Sequence, residues 1–461
     1  MTGGMKRGLA GRLRTALPAA MALLLACALA GSPAALAQYG GGGGKDKSKS
    51  EQKTRRTGAI SEKVYRKLAE AQELSEKDDF AGAKRVLDEI NQEKLSPYEK
   101  AQLYNFYGFI YYSQERYKDS IRMYEKVLAQ PEIPPGLYNQ TLYTLAQLYF
   151  TIEKWQKAVD LINEWFKTAE NPGPEPYILL ASGYYSLNKY QQMIQPIEKA
   201  MAIARERNTP IKEQWWLLLR VAYYELNNLK KVRDILEILV VNWPKKEYWT
   251  QLAAMYGELG QERKQVAAYA TAYDQGLLTR SNELVQMAQL FLQAEVPYKA
   301  AKVLETGFEQ GLVEKKAENY RVLSQAWMLA AEDRKAIPAL KQAARLSDDG
   351  DLDARLAQSY LNLSDYDNCI KSARDALRKG GLRRKDNAQI VLGMCLFEKD
   401  RYEEAKRAFR QAAQDKRSRK TATQWITFIE REQARLRQLE ESLRQVRRSA
   451  AAPAAEAAPE G

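Results

Sequence analysis

Residues 103–131 read LYNFYGFIYYSQERYKDSIRMYEKVLAQP. Two helical segments are written in this stretch. Leu103, Tyr104, Tyr107 and Tyr111 recur at three- and four-residue spacing, and Glu115-Arg116 marks a turn. Tyr117, Ser120, Tyr124 and Val127 follow at the same spacing, and Pro131 stops the run. Gly108 and Ser120 are small enough for the two helices to approach closely. The first segment ends on the aromatic pair Tyr111-Tyr112. Similar pairs recur at Tyr149-Phe150, Tyr184-Tyr185 and Tyr223-Tyr224, in steps of 38, 35 and 39 residues. A stride of that size marks a solenoid of two-helix repeats.

Working outward, about ten units are legible, beginning near Val64, Ala101, Asn139, Pro174, Glu213, Tyr248, Ser281, Ala317, Gly350 and Asp386. One repeat cannot bury its apolar face alone, so neighbours stack into one continuous core. Pro196 and Pro338 fall inside second helices and are expected to kink or shorten them. The sixth unit is expected to carry one extra residue before Val266. Thr421 to Arg447 reads as one long helix in which Trp425, Ile426 and Ile429 cap the solenoid. Leu436, Leu439, Leu443 and Val446 continue it at heptad spacing, too briefly for a coiled coil.

The order of large residues, Tyr107-Gly108, Tyr111, Ser120, Tyr124 and Pro131 resembles the tetratricopeptide repeat pattern. That resemblance implies an all-α, right-handed α-solenoid of about ten helix–turn–helix repeats with a long C-terminal capping helix. It also implies a concave groove lined by the first helices. Adjacent helical residues project about 100° apart. If the first ring of each pair is core, the second points elsewhere. The groove is therefore expected to hold Tyr112, Phe150, Tyr185 and Tyr224, with Asn105, Phe109, Tyr143, Gln147, Ser182 and Val221 as neighbours. Rings that merely pack between first helices are the equal alternative. Some grooves of the family clamp a terminal carboxylate with Lys and Asn. The matching positions here hold Asn105, Phe109, Tyr143 and Gln147, with no Lys, so the clamp is not expected. Within the family, the runs Tyr104-Asn105-Phe106-Tyr107, Ile110 to Gln114 and Gln140 to Phe150 are similar to periplasmic members that accompany TonB–ExbB–ExbD systems. That resemblance implies an accessory role in energy transduction and outer-membrane uptake.

The ends carry most of the charge. The formal net charge is +13, and residues 1–37 contribute Lys6, Arg7, Arg12 and Arg14 with no acidic residue, so their removal leaves +9. The basic start, the apolar run Leu17 to Ala30 and Ala35-Leu36-Ala37 read as a signal peptide. Cleavage is expected between Ala37 and Gln38, giving a periplasmic protein with no remaining transmembrane segment. The alternative is a lipoprotein anchored at Cys27. Residues 38–60 form a Gly-, Lys- and Ser-rich linker. Gly40 to Gly44 with Lys45 is no phosphate loop, because Asp46 stands where a metal-binding hydroxyl is needed and no strand precedes it. The solenoid is assigned to 61–420, the capping helix to 421–448 and a disordered Ala/Pro tail to 449–461. Residues 38–67 hold nine basic and three acidic residues, and 413–448 hold ten and five. A nearly neutral body with charged ends argues against nucleic acid, which wants a continuous basic stripe. Weak contact of the basic ends with an envelope surface is compatible with it.

The chain contains no histidine. That removes the commonest general base, the Ser-His and Cys-His pairs and the commonest metal ligand. The carboxylate pairs Asp78-Asp79, Asp348-Asp349 and Glu403-Glu404 fall in turns or on exposed faces. Cys369 and Cys395 read as small core residues, with a bridge open to them in an oxidising compartment. No catalytic, cofactor or metal site is expected. The sequence points to an exported, non-enzymatic scaffold binding envelope proteins, with TonB, ExbB or ExbD components as the partners the resemblance implies. The alternative is a carbohydrate-binding envelope protein using the aromatic groove in polysaccharide export or cell-wall handling.

Overall fold

The computed structural model describes residues 60–451. The segments read as a signal peptide, as a linker up to residue 59 and as a tail beyond 451 lie outside the described residues. Among the described residues the regular structure is helical throughout, with no strand. It is an α-solenoid of ten helix pairs followed by a final long helix. The chain divides into two units, one ending at Trp243 and the other beginning at Pro244.

In the first unit the pairs are α1 (Glu62–Glu76) with α2 (Phe80–Asp88), α3 (Pro97–Ser113) with α4 (Tyr117–Leu128), and α5 (Pro135–Thr151) with α6 (Trp155–Phe166). Then come α7 (Pro174–Ser186) with α8 (Tyr190–Glu206), and α9 (Glu213–Glu225) with α10 (Leu229–Asn242). In the second unit they are α11 (Lys246–Glu258) with α12 (Glu262–Asp274), and α13 (Ser281–Gln293) with α14 (Pro297–Glu309). These are followed by α15 (Ala317–Leu329) with α16 (Asp333–Arg345), α17 (Asp351–Asn362) with α18 (Tyr366–Lys379), and α19 (Lys385–Phe397) with α20 (Tyr402–Ala412). The last helix, α21, runs Arg419–Ala451.

Every pair is joined by the same tight turn. Two residues before each second helix begins, the backbone adopts the left-handed conformation, at Asp78, Glu115, Glu153, Asn188, Asn227, Gly260, Glu295, Ala331, Ser364 and Asp400, with φ between 55° and 68°. The amide that follows this residue reaches back to close the first helix, as Arg116 does to the Tyr111 carbonyl at 2.8 Å. Only one of the ten is glycine, although a side chain makes this conformation costly. The small positions of the pattern are close approaches. A Cβ on Gly108 would lie 2.8 Å from the Tyr124 ring, and one on Gly393 would lie 2.7 Å from Phe409.

The two prolines do not shorten their helices. Pro196 lies in the body of α8, which runs 17 residues, and Pro338 in α16, which runs 13. Each falls within about two turns of the helix start, where one amide hydrogen bond is lost and little helix precedes the ring.

Carboxylates link the starts of successive units. Glu99, in the first turn of α3, accepts from the Ser61 amide and hydroxyl ahead of α1 at 2.9 and 2.7 Å, and caps α3 with Ser96. Burial pushes the Glu99 carboxyl up, but the hydrogen bonds from Ser61 and Ser96 outweigh it and bring it to about 2. Glu283, in α13, reaches Lys246 of α11 at 3.2 Å. Asp386, in α19, is held below the usual carboxylate range, first by Arg384, and accepts from Ser418 ahead of α21 at 2.7 Å. Ile429 is fully buried and the Trp425 ring stacks on Phe409 at 5.4 Å, which fastens α21 to the tenth pair.

Candidate functional site

The aromatic pairs end the first helices, so their two rings leave the backbone in different directions. The first ring works between repeats. The Tyr149 hydroxyl donates to Glu125 of α4 at 2.5 Å, and Tyr223 donates to Glu198 of α8 at 3.3 Å. Of these first rings only Tyr149 is buried; Tyr111, Tyr184 and Tyr223 are half-buried. The expectation that Tyr184 is core is therefore corrected. Such a ring spans a junction and keeps its polar tip near the surface.

The second ring turns toward its own second helix. Tyr112 packs on Tyr117 at 6.0 Å, Phe150 on Trp155 at 5.8 Å and Tyr185 on Tyr190 at 6.4 Å, always five residues on. Phe397 repeats this with Tyr402 at 5.7 Å. These contacts tie each turn to the helix that follows it. They favour packing over an open ladder of rings.

The ten residues expected to line the groove separate into two groups. Phe150, Gln147, Ser182 and Val221 are buried, at 3–5 % exposure, and offer a ligand almost no surface. Ser182 turns its hydroxyl onto the Ile178 carbonyl of its own helix at 2.9 Å. Asn105, Phe109, Tyr112, Tyr143, Tyr185 and Tyr224 are half-buried. Tyr143 packs on Trp165 at 5.1 Å, and its burial there raises the phenol to about 12. Burial also raises Tyr112.

Two features escaped sequence reasoning. In four units a lysine eight residues beyond the first ring sits over it: Lys157 on Tyr149, Lys264 on Tyr256, Lys299 on Phe291 and Lys335 on Trp327, at 4.8–5.9 Å. The recurring eight-residue interval was the available signal. The second is the outward stripe of the first helices in the second unit. Its middle position holds Gln289 and Gln325, both exposed, and Gln358, half-buried.

Cys369 of α18 and Cys395 of α19 are fully buried and joined by a disulfide, with Cα atoms 6.3 Å apart. An open cavity of about 530 Å³ lies along α18, beside Arg401. Its arginines are already paired, Arg374 and Arg401 with Glu404 and Arg378 with Asp375. Among the described residues no cluster of three or more His, Cys, Asp or Glu could hold a metal ion. No described helix is long and apolar enough to cross a membrane.

Comparison with known proteins bears on the tenth pair. Residues 387–414 match the family model described as Tetratricopeptide repeat. No curated protein matches the chain. Similar solved structures include a tetratricopeptide repeat protein from Parabacteroides merdae ATCC 43184, at 17 % identity and TM-score 0.34, covering 58 % of this chain and 99 % of that one. MamA gives 18 % identity and TM-score 0.33 over 38 % of this chain and 92 % of its own. YrrB, described as a TPR protein with an unusual peptide-binding site, gives 14 % and 0.34 over 41 % and 95 %. No conclusion rests on structural likenesses of that size. The stride and the paired helices agree with that match, and residues 387–414 are similar to a tetratricopeptide repeat.

Proposed function

We propose that the chain is an exported, non-enzymatic protein-interaction scaffold of the bacterial cell envelope, acting as an accessory of TonB-type energy transduction. The observation that carries the scaffold reading is the set of ten helix pairs, five in each unit, whose first helices present partly exposed stripes. Surfaces of this kind suit extended protein segments, and tetratricopeptide repeat proteins generally serve as such scaffolds. The buried Cys369–Cys395 disulfide supports export, because such bonds persist in oxidising compartments. The TonB assignment rests on the similarity of the stretch around Tyr104 to Phe150 to periplasmic members of the family. The carbohydrate alternative needs open aromatic faces, and the stacking of Tyr112, Phe150 and Tyr185 on their own second helices does not favour it.

A photo-crosslinking residue at Tyr185 in intact cells tests the proposal. Recovery of an envelope protein, with native protein beginning at Gln38, supports it. Recovery of cytoplasmic partners alone, or of an intact Met1, overturns the exported-scaffold reading. Envelope partners without TonB, ExbB or ExbD components would remove the transduction role.

A further inference from the structure

The last helix outruns the fold it closes. Ile429 of α21 is fully buried, and Gln433 still holds the tenth pair, accepting from Lys406 at 3.0 Å and donating to Glu403 at 3.3 Å. Leu436 is half-buried, and from Arg437 to Arg448 every residue is exposed. A helix rises about 1.5 Å per residue, so this exposed stretch is about 18 Å long.

The stretch is two-sided. At about 100° per residue, Leu436, Leu439, Leu443 and Val446 fall within about 80° of one another around the axis. Leu439 and Leu443 are 49 % and 50 % exposed. Arg435 and Arg447 border this row, about 60° to either side of its centre. Arg437, Arg444 and Arg448 stand farther round the helix. Residues 435–448 thus hold five arginines against Glu440 and Glu441, and five minus two leaves +3. Arg435 pairs with Glu432 on its own helix at 2.6 Å, whereas Arg437, Arg444, Arg447 and Arg448 make no ion pair among the described residues.

We propose that α21 beyond Gln433 docks on a bilayer surface rich in anionic phospholipid, with the leucine row turned inward. A polar helix with arginines around one apolar strip is the make-up of helices that lie in the membrane interface. The bordering arginines lay their stems along that strip and hold their guanidinium groups at the lipid phosphates. Each arginine near such a surface strengthens binding about five-fold. The helix lies on the bilayer and does not cross it, since no described helix is long and apolar enough to do so. A second copy of the chain is the poorer occupant. The row covers two heptads, short of the three or four that sustain a coiled coil, and pairing would bring two segments of +3 together. An anionic surface neutralises the charge that a second copy would double. This inference goes beyond the scaffold reading and stands whichever partner the repeats hold.

The test is co-sedimentation of the chain beginning at Gln38 with vesicles of phosphatidylcholine, with and without phosphatidylglycerol. Binding is expected only where phosphatidylglycerol is present, and it should weaken as salt is raised. Leu439→Ser with Leu443→Ser, and separately Arg444→Gln with Arg447→Gln, should each weaken it about ten-fold or more. All four side chains are exposed, so the melting temperature should not move. No binding, or equal binding to both kinds of vesicle, overturns the proposal. Unchanged binding by both double variants also overturns it, because the contact then lies elsewhere on the chain. Sedimentation velocity without lipid should show a monomer. A dimer that Leu439→Ser with Leu443→Ser dissolves would make the row an interface between copies and overturn the membrane assignment.

Discussion

The middle of the outward stripe differs between α5, α7 and α9 of the first unit and α13 and α15 of the second. In α5, α7 and α9 it is Gln147, Ser182 and Val221, all buried. In α13 and α15 it is Gln289 and Gln325, both exposed. The neighbours explain the contrast. In the first unit, aromatic residues end the first helix and open the second, as Tyr112 with Tyr117, Phe150 with Trp155 and Tyr185 with Tyr190. Phe150, Tyr112, Tyr117 and Trp155 join one apolar cluster with Leu145 and Tyr149. In α13 and α15 of the second unit the same two places hold Leu292 with Pro297 and Met328 with Asp333, which fill far less space, whereas α19 keeps Phe397 with Tyr402. A row of aromatic residues in a solenoid sequence thus marks where the first-helix face is filled. The open face is where the rings stop.

The largest effect that could break this comparison comes from truncating one residue in each unit. Phe150→Ala removes a buried ring lying against Trp155 and should cost about 3–5 kcal/mol. Gln325→Ala removes an exposed amide and should stay within about 0.5 kcal/mol. Denaturant melts of both variants decide it. Similar losses would mean that the two faces are equally filled.

Much of this was legible in the sequence, and the misses have physical causes. The unit starts near Glu213, Ser281, Ala317 and Asp386 were readable because small and large residues recur at fixed stride, and stacking demands that recurrence. Tyr184 and Phe150 were misassigned in opposite senses. Helical phase gives the angle between adjacent side chains but not which neighbour covers each, and for Phe150 that neighbour is Trp155 of the next helix. The glutamine row passed unnoticed because Gln289, Gln325 and Gln358 look like ordinary solvated residues until their helices are set side by side. The Cys369–Cys395 bridge stayed open because spacing alone cannot establish that Cα atoms come within 6.3 Å.

An acid titration sharpens the comparison at the unit starts. Glu99 in the first unit is buried and held to about 2 by Ser61 and Ser96, against about 4.5 in the unfolded chain. Its folded pKa is depressed, so its contribution is present above pH 4.5 and is lost as the pH falls toward 2. The size is up to about 3 kcal/mol. Glu283 in the second unit is also lowered; burial works against this, and Arg280 and Lys246 prevail. Glu99→Gln should flatten the acid limb of the stability profile more than Glu283→Gln. The reverse order would place the stronger acid anchor in the second unit.

The smallest expected effect concerns the turns, where the two units are alike. Ala331, between α15 and α16, sits at φ 57° with an exposed side chain, and Gly260, between α11 and α12, occupies the matching place at φ 68°. A Cβ in this region costs about 1–2 kcal/mol. Glycine removes that strain but loses more chain entropy on folding, a penalty of about 0.4–1 kcal/mol. The strain outweighs the entropy, so Ala331→Gly should stabilise by about 0.5 kcal/mol. Gly260→Ala should destabilise by a similar amount, since a Cβ there meets no atom within 4 Å and only the backbone conformation opposes it. Glu115→Gly carries the same argument into the first unit, at φ 57°. It should match Ala331→Gly once the cation–π contact of Arg116 with Tyr111, 4.5 Å away, is shown to be intact. If the glycine variants melt lower than the native chain, the turns draw on side-chain contacts at this residue and the left-handed geometry is not their dominant cost.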